Sequence, residues 1–124
     1  MGVGVAATAV LVKAAFWIPL ALCTMVAFRA NPTDLTATFS GISAHAVAFA
    51  YLAVALFVAH FRSGPVLPVI LWMLAFGVMI EVGQTFVDGR TGELFDVFVD
   101  GVGIAVGCAI YRTWLWRRPH ARTP

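Results

Sequence analysis

The stretch Val66-Leu67-Pro68-Val69-Ile70-Leu71-Trp72-Met73-Leu74-Ala75-Phe76-Gly77-Val78-Met79-Ile80 runs without one ionisable side chain, and its apolar character continues past Glu81 through Val82 and Gly83. A helix needs about 20 residues to cross a bilayer, and this block reaches that length before any turn signal. Arg62-Ser63-Gly64-Pro65 marks its start and Val87-Asp88-Gly89-Arg90-Thr91-Gly92 the turn beyond its end. Pro68 falls in the first helical turn, where its missing N–H costs no intrahelical bond. The block therefore reads as a membrane span of about residues 66–84.

Working outward, the same test finds three more blocks, at about residues 8–28, 42–61 and 94–114. The start of the first is uncertain, because Lys13 must either snorkel or end the span, and Pro19 is a candidate kink. The sequence does not read as a secretory leader, since Phe28 spoils the small-residue cleavage pattern before Asn31; the expectation is a retained span. Of 124 residues, 61% are apolar and 11% charged, so there is too little polar surface for a small soluble domain and no length left for one beside four spans. Disorder, a coiled coil and a disulfide scaffold are excluded by the same composition. The expected fold is all-α: a single domain over residues 1–124, an integral membrane bundle of four transmembrane helices.

Lys and Arg collect on the cytoplasmic side of short-looped membrane proteins. Arg112, Arg117, Arg118 and Arg122 crowd the C-terminal end beside Tyr111, Trp114 and Trp116. Both termini, Lys13 and the Arg62 turn are therefore expected in the cytoplasm, and the loops around Asn31 and Arg90 outside. Arg29 and Arg90 are mild exceptions.

Five of the six acidic residues, Glu81, Asp88, Glu93, Asp96 and Asp100, lie in one stretch around the second outer loop. Glu81 and Gln84 share a helical face, with Gly77 one turn below Glu81. Asp96, Asp100, Gly103 and Gly107 form a single stripe on the fourth span, whose glycines permit close approach of another helix. His45 sits about one turn into the second span, on the side of Ala48, Phe49 and Leu52. At about 1.5 Å per residue, His45, Glu81, Asp96 and Asp100 all fall within roughly 10 Å of the outer boundary. Unpaired charges facing lipid at that depth are costly, so these groups should face the bundle interior or a wet cavity.

Two readings of the constellation stay open. In one it is a structural clamp, with Arg90 neutralising Asp96 or Glu81 and Gln84 satisfying loop backbone. In the other it is a ligand site in which His45, Glu81 and Asp96 are the candidates for acid and base work and Arg90 holds an anionic group such as phosphate, with Gln84 and Asp100 as further ligand-binding candidates. A metal held by His45, Glu81, Asp96 and Asp100 is chemically possible, but no compact ligand motif supports it, so no metal and no cofactor is expected. Cys23 and Cys108, like Met25, Met73, Met79, Trp72 and Phe76, read as packing or lipid-contact residues. His60 and His120 read as interfacial. No nucleotide-binding glycine loop or nucleophile elbow occurs, and no nucleic-acid partner is implied.

The run Glu81, Gln84, Phe86, Gly89, Arg90, Asp96, closed by Gly103 and Gly107 and preceded by His45 and Phe49, resembles the VanZ-like family of small bacterial membrane proteins over about residues 41–107. Two departures stand out: Gly41 and Ile42 replace a frequent Asp-Lys pair, and Asp100 replaces a common asparagine. The resemblance implies a tetraspan protein of the bacterial cell (inner) membrane and, through the family's founder, an association with resistance to the glycopeptide antibiotic teicoplanin. It implies no settled reaction. The expected function is recognition of an envelope ligand, a lipid-linked phosphate such as a cell-wall precursor or a glycopeptide, with membrane lipids as partners. The alternatives are a hydrolase or transferase acting on a lipid headgroup, and a flippase or structural accessory protein. Oligomeric state is not legible.

Overall fold

The computed structural model describes residues 2–29, 42–89 and 92–117. These form four helices, α1 (Gly2–Ala27), α2 (Ile42–His60), α3 (Val66–Gln84) and α4 (Leu94–Arg117), and no strand occurs among the described residues. Each is long and apolar enough to cross a membrane. The chain runs up and down, so α1 lies parallel to α3 and α2 parallel to α4. Two contacts at opposite ends fix this: Gln84 Nε2 donates to the Ala27 carbonyl (3.0 Å) at one end, and Phe16 meets Trp72 edge-on toward the other.

The sequence leaves the start of the first span open, and the structure makes α1 helical from Gly2. Residues 2–11 are exposed, and Lys13 is exposed on the helix surface rather than ending it. A helix of 26 residues is about 39 Å long, more than the roughly 30 Å hydrocarbon core, so its first turns can leave the apolar layer and Lys13 can snorkel.

Apolar side chains lie on both sides of the bundle. Phe16, Leu52, Phe57, Val69, Met73 and Ile104 are buried, whereas Leu67, Leu71, Val78, Val82, Phe98 and Val106 point outward. Lipid solvates the outer set, so shape fit rather than apolar burial decides which helices touch. The fit is tightest between α2 and α4. A Cβ at Gly103 would strike the backbone carbonyl of Ala46, and one at Gly107 the carbonyl of Ala50, with the Ala53 methyl 2.9 Å away. Two glycines one turn apart thus ride on α2 at two alanines one turn apart. That register decides which polar residues of the two helices meet.

Candidate functional site

The site lies where α2 begins, α3 ends and α4 begins. His45 comes from the first turn of α2, Glu81 from the last turn of α3 and Asp100 from the second turn of α4. His45 Nδ1 and Asp100 Oδ1 are 3.1 Å apart. An ionised Asp100 accepts this bond from the Nδ1–H tautomer, which leaves the other ring nitrogen as an acceptor; a doubly protonated ring would be a cation paired with the carboxylate. The pair is lopsided in exposure: the His45 side chain is 18% exposed and that of Asp100 1%. Phe49 and Phe76, in ring contact below the pair, close the cluster toward the bundle centre.

Glu81 is equally enclosed, at 6% exposure. Its Oε2 accepts the backbone N–H of Glu93 at 2.8 Å, which places a carboxylate on one of the four N–H groups that the start of α4 leaves without intrahelical partners. The positive end of the helix dipole favours a carboxylate there by on the order of 1 kcal/mol. Gly92 makes this seat possible, since a Cβ there would run into the Glu81 carbonyl. One ligand atom each from His45, Glu81 and Asp100 lies within 4.8 Å of the other two. Glu81 Oε1 and Asp100 Oδ2 are buried and have no hydrogen-bond partner among the described residues.

Of the residues singled out in the sequence, three therefore converge. Asp96, the carboxylate expected beside His45, is half-buried in the first turn of α4. The α2–α4 register brings Asp100 rather than Asp96 opposite His45. Gln84 faces α1 and binds the Ala27 carbonyl, so it ties helix ends together rather than lining the cluster. Gly77 does line it: a Cβ at that position would stand 3.1 Å from Asp100 Oδ2 and 3.4 Å from Phe49. Gly103 and Gly107 are the α2–α4 contact already described. Arg90, expected over the carboxylates, lies outside the described residues. Gly89 before it has φ 78°, the left-handed conformation that glycine adopts most readily.

Sequence reading missed the Glu93 N–H as a partner of Glu81, although an acidic side chain one loop before a helix start is a signal for it. His60, read as interfacial, is partnered: Trp17 Nε1 donates to its Nε2 at 3.1 Å, and both rings stand edge-on to others nearby.

Four apolar helices with ionisable side chains turned inward at one end define a multi-pass membrane protein with an intramembrane polar cluster. The chain belongs to the VanZ/LLP1 family, whose family model matches residues 3–117. No curated protein and no solved structure matches it.

Proposed function

We propose that this VanZ/LLP1-family protein binds a phosphate-bearing envelope ligand, such as a lipid-linked cell-wall precursor, at the α2/α3/α4 end of the bundle. The observation that carries the reading is the His45–Asp100 pair: a buried carboxylate orients a ring that is itself part-exposed and whose second nitrogen has no partner among the described residues. With that ring protonated, Asp100 balances the charge and Nε2–H is the donor offered to an anionic headgroup. Arg90 keeps the role the sequence gives it, a headgroup cation in the adjoining loop. The basic residues Arg62, Arg112 and Arg117 gather at the other end of the bundle, which supports cytoplasmic termini and a site facing the outer side of the cell membrane. A glycopeptide is the other ligand in this class, which would connect the site to glycopeptide resistance.

The same pair favours one alternative, acid–base chemistry on a lipid headgroup, because a carboxylate-oriented imidazole is a general base. Turnover separates the two. The test is native mass spectrometry of the full chain in lipid nanodiscs with added polyprenyl phosphate. The expected result is a saturable complex with intact ligand that His45→Ala removes and His60→Ala retains. Release of inorganic phosphate that stops in His45→Ala would replace binding by catalysis, and equal binding by both variants would refute the site.

A further inference from the structure

His45, Glu81 and Asp100 offer donors from three helices to one point, and their ligand atoms lie within 4.8 Å of one another. We propose that these side chains bind a single divalent first-row transition-metal ion such as Zn2+ or Mn2+. Acidic clusters at protein surfaces are common without any ion, but this one is enclosed, with Glu81 6% and Asp100 1% exposed. Each of the two carboxylates also keeps one buried oxygen, Glu81 Oε1 and Asp100 Oδ2, without a hydrogen-bond partner among the described residues. Buried carboxylate oxygens are costly to leave unpaired, by about 1–3 kcal/mol each or more when charged, and a cation bound between the two carboxylates offsets that cost.

Charge and geometry agree with this occupant. Two carboxylates and a neutral imidazole carry two negative charges, which one divalent ion cancels inside a low-dielectric bundle. Metal–ligand distances of about 2.0–2.2 Å put neighbouring donor atoms roughly 3.0–3.5 Å apart. The His45 Nδ1 to Asp100 Oδ1 separation is already 3.1 Å, and the ligand atom of Glu81 lies within 4.8 Å of those of the other two. An imidazole in the donor set selects against Mg2+ and Ca2+, which prefer oxygen alone. Three protein donors also leave a coordination position open on the side where His45 is part-exposed. The inference stands on the three side chains and does not require the ligand reading above.

The test uses the full chain with any histidine tag removed, washed with chelator and held in nanodiscs. ZnCl2, MnCl2 and MgCl2 are titrated separately, and bound metal is counted after gel filtration. The expected result is one Zn2+ or Mn2+ per chain, no retained Mg2+, and affinity weakened by about tenfold or more in each of His45→Ala, Glu81→Gln and Asp100→Asn. Glu81→Gln and Asp100→Asn keep side-chain shape, and unchanged helical circular dichroism identifies the folded samples. Loading with Co2+ should add visible absorption bands that Asp100→Asn abolishes. A folded wild-type chain that retains no ion, or retention equal in all three variants, overturns the proposal. Polyprenyl phosphate binding in excess chelator separates the two readings: a chain that takes up lipid but no ion refutes the metal site alone, and one that takes up ion but no lipid refutes the ligand site alone.

Discussion

The two histidines of α2 sit at opposite ends of one helix, in opposite kinds of surroundings. At the C-terminal end, His60 accepts from Trp17, Tyr111 OH donates to the Arg62 carbonyl at 2.6 Å, and Phe57 stacks on Tyr111 with ring centroids 4.4 Å apart. The polar groups named there are matched by a neighbour. At the N-terminal end, His45 meets a carboxylate, a second carboxylate lies beside it, and two buried oxygens have no hydrogen-bond partner among the described residues. One end is finished as a structure. The other keeps buried carboxylate oxygens without hydrogen-bond partners among the described residues, and it is the end at which a ligand and an ion are proposed above.

The contrast depends on the α2–α4 contact, and breaking that contact gives the largest expected effect. Gly103→Leu would force a side chain into the backbone of Ala46, where no rotamer change can make room. Overpacking against backbone should cost about 3 kcal/mol or more and separate His45 from Asp100 as the helices move apart. Loss of the folded bundle in a detergent unfolding assay checks this, and near-wild-type stability would contradict the packing described.

A smaller effect sharpens the contrast at the aromatic end. Phe57→Ala removes a fully buried ring and its stack on Tyr111. In a membrane the unfolded reference is itself in lipid, so the water-transfer part of the usual penalty drops out. The packing part remains, on the order of 2 kcal/mol. Reduced melting temperature with ligand and metal binding unchanged in the folded fraction is the expected result.

The sequence made the four helices legible because membrane spanning imposes a length and composition test that each block passes on its own. It also brought His45, Glu81 and Asp100 to one depth, because alternating spans and a fixed rise per residue make depth countable. It could not choose between Asp96 and Asp100 as the partner of His45. Both lie on one stripe of α4, and the choice falls to the seating of Gly103 on Ala46, a property of two surfaces in contact. The start of the first span stays open in the sequence for a related reason: Lys13 reads as a boundary in a one-dimensional hydropathy pattern, while on a helix its long stem can carry the charge toward the interface. Gln84 shares the helical face of Glu81, about 60° away around the axis, and the spacing alone does not show that its amide nitrogen donates to the Ala27 carbonyl of α1.

The central claim is that the carboxylates at the start of α4 serve a ligand or ion rather than the bundle, and the most direct measurement is paired stability and binding for Glu81→Gln and Asp100→Asn. Each substitution removes a buried charge while keeping an oxygen for the bond seen here, from the Glu93 N–H or from His45. Burying an ionised carboxylate that is not fully paired is costly, and an amide of the same shape removes that cost. The account predicts unfolding free energies within about 1 kcal/mol of wild type, or higher, together with loss of Zn2+ binding in both variants and of polyprenyl phosphate binding in Asp100→Asn. A fall in stability as large as that of Phe57→Ala, with both kinds of binding intact in the folded fraction, would contradict it.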